Sequence, residues 1–119
     1  MEELLEKLKR FESTAYDYVS RFKALADPTR LKIMFLLKHG GELCVCDLTE
    51  ALGIAQSGVS YHLRVLQEAG LIEKREHGTW SYCSLNETTV SEILSPKCCS
   101  VLGLCGDTEP WDPRFRWPR

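Results

Sequence analysis

The chain has 119 residues, is 44% hydrophobic and 27% charged, and carries a formal net charge of −2. That length holds one domain with a single core and leaves little spare surface for burying every amphipathic face within one chain. No apolar run approaches the ~20 residues that span a bilayer, and the opening MEELLEKLKR lacks a signal-peptide apolar stretch, which predicts a cytoplasmic protein with no membrane partner.

Six cysteines in such a compartment point to metal binding or redox sensing rather than to structural disulfides. The small negative charge counts mildly against nucleic acid as a partner, but local distribution can outweigh the total, and Arg64, Lys74 and Arg75 lie in the proposed reading unit.

From Glu2 to Ala26 the apolar positions Leu4, Leu8, Phe11, Ala15, Val19, Phe22 and Leu25 step by three or four with no glycine or proline, predicting one long helix or two halves broken near Ser20. A terminal amphipathic helix must bury its stripe somewhere, so part of it is assigned to a second subunit. Asp27-Pro28 then reads as an N-cap followed by proline at the first helical position; the helix runs to His39, and Gly40-Gly41 stops it. It is apolar nearly all round and should be the core helix. His39 at its end is read as a solvated residue favoured by the helix dipole.

ELCVCDLTEALG predicts a short helix from Val45 to Leu52 closed by Gly53, with Val45, Leu48, Ala51 and Leu52 inward. After the turn, Ile54–Ala69 (IAQSGVSYHLRVLQEA) places Val59, Leu63, Leu66 and Ala69 on one face and Gln56, Ser57, Ser60, Tyr61 and Arg64 largely on the other. One face packs, and the other carries side chains that reach phosphates and base edges in a major groove. Two short helices joined by a glycine-containing turn form a helix-turn-helix.

Leu71–Glu76 and Thr79–Leu85 flank His77-Gly78 and predict a two-stranded hairpin, the wing, with Lys74, Arg75 and His77 at its rim. A short helix over Glu87–Leu94 ends before Pro96, and Lys97–Arg119 reads as an irregular tail whose prolines, tryptophans and arginines suggest an extended, docking segment. The fold class is mostly α with a small β-hairpin, a winged helix-turn-helix. Residues 1–95 form the DNA-binding and dimerisation domain, with 1–26 as its dimer helix region, 45–69 as the helix-turn-helix and 71–85 as the wing; 96–119 are a Cys-rich, Pro/Trp-containing tail.

Three separated stretches, ALADPTRLKIMFLL, ELCVCDL and QSGVSYHLRVLQEAGLIEKREHGTWSYCSLN, in this order and spacing over Phe22–Leu94, resemble the ArsR/SmtB metal-responsive repressors. The resemblance implies a homodimer with its first and last helices at the interface, bound to double-stranded operator DNA without metal and released by metal or metalloid. It implies Gln56, Ser57, Ser60, Tyr61 and Arg64 as readers and Lys74, Arg75 and His77 as wing contacts, with His62 packing or touching DNA rather than binding metal. Ala55 stands where many members carry a serine or threonine cap.

Cys44 occupies an N-cap position, where a thiol caps poorly and a helix N-terminus favours the thiolate; Cys46 is near enough to share a soft ion with it. In the family, ELCVCDL marks thiolate sites for arsenic, cadmium or lead, although Thr49 stands where arsenic-type members often carry a third cysteine. The tail adds Cys98, Cys99 and Cys105, a CC-x5-C spacing similar to that of some arsenic-responsive members. Soft thiolates match As(III), which wants three sulfurs or two plus another donor.

Two site models follow. Either Cys98, Cys99 and Cys105 make a self-contained As(III) site, favoured by their tight spacing, or tail cysteines join Cys44 and Cys46 in a composite one. Cys83 reads as a buried inert thiol, and Asn86–Leu94 lacks the ligand pair of the family's zinc site. The leading function is an operator-binding repressor released by As(III) or Sb(III). Cd(II)/Pb(II) sensing and thiol-redox sensing are the alternatives; an enzyme finds no support, because no CxxC, βαβ pattern or His/Cys constellation is present.

Overall fold

The computed structural model describes residues 1–105. Helix α1 (Glu2–Leu25) is followed by α2 (Pro28–Gly40), strand β1 (Leu43–Cys44), α3 (Val45–Leu52), α4 (Gln56–Glu68), β2 (Ile72–His77), β3 (Trp80–Leu85), α5 (Glu87–Ile93) and α6 (Pro96–Val101). Local signals set most of these ends. The Asp27 carboxylate accepts the Arg30 N–H at 3.0 Å with Pro28 at the first helical position, and Gly53, at φ 66°, closes α3. At the end of α4, Gly70 takes φ 75° while its N–H bonds Gln67 O and the Leu71 N–H bonds Leu66 O, a reversal that buries Leu66 and Leu71 together.

The core lies between α2 and the helix-turn-helix. Ile33, Met34 and Leu37 of α2 meet Leu48 of α3 and Val59, Leu63 and Leu66 of α4, all buried, with Ala24, Leu71, Ile72, Cys83 and Val90 around them. The inward faces of α2 and α4 agree with the sequence reading. Ala51 does not, being exposed.

The wing differs in two ways. It is three-stranded in the order β1-β3-β2, because Leu43 pairs with Cys83 and Cys44 with Tyr82. Its tight turn is Gly78-Thr79, one residue later than predicted, since His77 pairs with Trp80. Gly78 has φ 61° and, among the described residues, only glycines have positive φ, so the glycine serves the first loop position of a hairpin connection.

The segment after Pro96 is also not irregular throughout. Ser95 Oγ accepts the Cys98 N–H at 3.1 Å and Pro96 opens α6, repeating the device at Asp27-Pro28. Helix α6 ends in a reversal at Gly103, where Leu104 N–H bonds Cys99 O at 2.9 Å and Gly103 N–H bonds Ser100 O at 3.1 Å. Cys99 and Leu104, each 1% exposed, thereby enter the core. The part of the tail after Cys105, including the aromatic and arginine-rich stretch, lies outside the described residues.

Helix α1 is unbroken and projects its stripe outward. Only Ala24 is buried, while Leu4, Leu8, Phe11, Val19 and Phe22 are all exposed in the protomer. Lone exposed apolar residues are ordinary; a contiguous stripe on one helix marks an interaction surface. Among the described residues no helix is long and apolar enough to cross a membrane.

Candidate nucleic-acid interface and thiol site

Helix α4 presents Gln56, Ser57, Tyr61 and Arg64 as exposed side chains and Ser60 as a half-buried one. They stand opposite the buried Val59, Leu63 and Leu66, so the packing of one face fixes the aim of the other. Ala55 supplies no side-chain cap, and the first turn rests on its carbonyl alone.

His62 is expected either to pack or to touch DNA. It is half-buried, and its Nδ1 lies 3.1 Å from Arg30 Nη1. A guanidinium only donates, so Nδ1 accepts and the ring proton sits on Nε2. Arg30 was not singled out in the sequence, yet it is the joint of this region. Its Nε donates to Ala24 O at 2.7 Å and its Nη2 to Lys23 O at 3.1 Å, tying the carbonyl end of α1 to the recognition helix. Arg30→Ala strips three acceptors of one donor, and a loss of about 2–3 kcal/mol of unfolding free energy is expected from denaturant melts.

On the wing, Lys74, Arg75 and His77 are exposed. Register separates them: Arg75 and His77 share the face of Tyr82 and Trp80, whereas Lys74 pairs with the buried Cys83 on the other. Arg75 Nη2 lies 2.6 Å from Glu42 Oε1, so this wing cation already has an acidic partner. Trp80, 55% exposed beside His77, escaped the sequence reading; an aromatic residue two positions after the loop glycine was the available signal.

The six cysteines fall into distinct environments. Cys44 is buried at the start of α3, and the Asp47 carboxylate accepts from its N–H at 3.1 Å and from its Sγ–H at 3.2 Å. Its pKa is raised, which corrects the predicted thiolate. The Asp47 backbone N–H, the largest single influence, pulls it down, but burial, the bond from Sγ to the Asp47 carboxylate and that carboxylate's charge outweigh it. Cys46 is exposed. Cys83 is buried on β3 with its pKa raised by burial, as an inert core thiol should be.

A raised thiol pKa in the folded state stabilises the fold below the unfolded value and is lost as pH rises through the folded value. Denaturant midpoints are therefore expected to fall on the alkaline side of 9.0, the ordinary value, and Cys44→Ser should flatten that fall. A Cys44→Ser midpoint with the native alkaline slope would assign the effect elsewhere.

In α6 the two vicinal cysteines diverge. Cys98 is exposed and Cys99 points into the core, where it meets Cys105 sulfur to sulfur with 5.5 Å between Cα atoms. The Gly103 reversal is what returns the chain to Cys99. The structure thus joins two members of the predicted tail trio and leaves Cys98 alongside, and among the described residues no three His, Cys, Asp or Glu side chains are gathered as a metal-holding group. His39, expected to be solvated, is half-buried, its Nε2 3.0 Å from Gly103 O.

Comparison with known proteins gives a consistent picture. A family model described as bacterial regulatory protein, arsR family, matches residues 27–74, from the N-cap of α2 into the wing. The arsenical resistance operon repressor of Bacillus subtilis is 48% identical over 90 residues, spanning 76% of this chain and 86% of that protein. A cadmium resistance transcriptional regulatory protein CadC homolog of Staphylococcus aureus is 38% identical over 78 residues, 66% of this chain and 64% of that one. Among solved structures, a homodimeric winged helix-turn-helix DNA-binding domain from Mycobacterium bovis, described as a possible ArsR-family transcriptional regulator, superposes with a TM-score of 0.68 at 28% identity, covering 79% of this chain and 84% of that one.

Proposed function

Since the chain belongs to the arsR family of bacterial regulatory proteins, whose members are transcriptional repressors and not enzymes, we propose that it is a cytoplasmic homodimer that represses by binding operator DNA and leaves it when As(III) or Sb(III) joins its C-terminal thiols. The observation that carries this reading is the meeting of Cys99 and Cys105 at the Gly103 reversal, next to the exposed Cys98. Gln56, Ser57, Ser60, Tyr61 and Arg64 read the major groove, and Lys74, Arg75 and His77 hold the backbone from the wing. The exposed stripe of α1 closes the dimer and sets the distance between the two reading helices.

The chemistry is ligand exchange. Each As–S bond forms as an As–OH bond breaks, and the hydroxide leaves as water with the thiol proton. Soft sulfur suits the metalloid, and Cys99 with Cys105, once a thiol reductant holds both as free thiols, supplies two donors without large movement. Bringing Cys98 in as the third requires the first turn of α6 to unwind, at the cost of its Ser95 cap. Cys44 and Cys46 are the weaker candidates, because the Cys44 thiol must give up its proton against burial and the Asp47 charge. Cd(II) or Pb(II) remains the alternative load for the exposed Cys46 and its neighbour, in keeping with the cadmium regulator to which the chain is similar.

A second reading draws on the same sulfur pair. A disulfide or peroxide oxidant taking two electrons from the two thiols would join Cys99 to Cys105, and a thiol reductant would reopen the bond. Fluorescence anisotropy of operator DNA decides between them. Arsenite is expected to release the reduced protein with an operator affinity roughly 5–150-fold lower. Release by oxidant alone, reversed by dithiothreitol and absent with arsenite, would replace metalloid sensing by redox sensing.

A further inference from the structure

We propose that the last turn of α2 is a relay between the thiol loop and the wing, with His39 as its positioning residue. This rests on the metalloid reading of Cys99 and Cys105 and supplies the route, within one protomer, by which that loop acts on a DNA contact.

On the loop side the fit is close. His39 Nε2 donates to Gly103 O at 3.0 Å, and the Phe35 and His39 rings lie 4.2 Å apart beneath that residue. A Cβ on Gly103 would stand 3.2 Å from Phe35 Cε2 and 3.4 Å from His39 Nε2, at φ +68°, so only glycine brings the backbone this near α2. Gly103 lies between Cys99 and Cys105. A ligand that redraws these sulfurs must therefore move the backbone that His39 holds.

On the wing side, Glu42 follows His39 by three residues. Gly41 N–H bonds Leu37 O at 3.0 Å, so the chain entering Glu42 is still tied to the last turn of α2. Glu42 Oε1 holds Arg75 Nη2 at 2.6 Å on the wing face that carries His77 and Trp80. This ion pair is solvent-exposed, which makes it weak enough for a DNA phosphate to take Arg75 from Glu42. Arg75 thus has two states, held by Glu42 or by phosphate, and the position of Glu42 biases the choice. Metalloid in the thiol loop shifts this balance further toward the Glu42-held state and weakens the wing contact; without it Arg75 is shared between Glu42 and the phosphate.

The test is a metal-free double-mutant cycle on operator affinity, with His39→Leu and Glu42→Gln alone and combined, repeated with Gly103→Ala in place of His39→Leu, all variants checked for native helicity and dimer content. Glu42→Gln is expected to tighten operator binding by about two- to fivefold, since it frees Arg75. The two changes should depart from additivity by at least about twofold. His39→Gln, whose amide nitrogen can stand where Nε2 stands, should restore native behaviour. With arsenite added, His39→Leu should bind the metalloid yet release operator less than native protein does. Additive cycles with both loop variants, or unchanged affinity in Glu42→Gln, would overturn the relay. Native protein that ignores arsenite while the metal-free cycle stays non-additive would instead overturn the metalloid reading and leave the relay standing.

Discussion

Arsenite is expected to lose its effect on operator binding when Cys105 is replaced by serine, alone or together with Cys99→Ala. In native protein the coupling should be of the usual allosteric size, ~1–3 kcal/mol; in the variants the ratio of operator affinities with and without arsenite should be about one. A hydroxyl is a hard donor and cannot replace a thiolate on As(III). Cys105 is half-buried and outside α6, so its replacement leaves the helix intact, whereas serine at the buried Cys99 would add an unpaired hydroxyl to the core and alanine does not. Cys44→Ser with Cys46→Ser is the matched comparison and should keep the arsenite response. Loss in both sets would require the composite site, and loss only in the Cys44/Cys46 double would move the sensing site to the start of α3.

The second large effect concerns α1. Leu8→Glu with Phe11→Glu should convert the protein to monomer and reduce operator affinity by at least ~100-fold, because two linked half-site contacts gain on the order of 10²–10⁴ from their connection. Both positions are exposed in the protomer, so the protomer fold should survive with native helicity. Sedimentation equilibrium reads the first outcome and anisotropy the second. A dimer that persists with both glutamates in place would show that the stripe faces something other than a second copy.

Signals confined to a few neighbouring residues were legible in the sequence. Asp27-Pro28, Gly53 and Gly70 act within a turn of chain, and the buried faces of α2 and α4 follow from apolar spacing. What escaped depended on distant partners. Strand β1 exists only because Leu43 and Cys44 find Cys83 and Tyr82 some forty residues on, and two residues carry no period of their own. The turn at Gly78-Thr79 was read one residue early because glycine suits either loop position, and register alone decides.

Ser95-Pro96 was the avoidable miss. The same cap-and-proline start as Asp27-Pro28 reads in the sequence as a stop, since proline ends one helix and begins another with equal ease.

The candidate site divides in the same way. The outward set on α4 was readable from spacing; the engagement of His62 with Arg30 was not, because it joins residues 32 apart. The tail spacing pointed to three sulfurs, while helix geometry turns Cys98 and Cys99 apart and leaves Cys99 with Cys105. Cys44 was expected to ionise readily at a helix start. Position alone favours that, and the burial and carboxylate that reverse it are tertiary facts.

The most direct test of thiol-linked repression is reciprocal. Arsenite affinity is measured on the reduced native dimer, free and saturated with operator, from the absorbance of the arsenic–thiolate bonds, beside operator affinity with and without arsenite. Linkage requires the two factors to be equal, and a value of roughly 5–150 is expected for both. Arsenite that binds free and operator-saturated protein equally well would contradict the account, because a ligand indifferent to the DNA-bound state cannot release it.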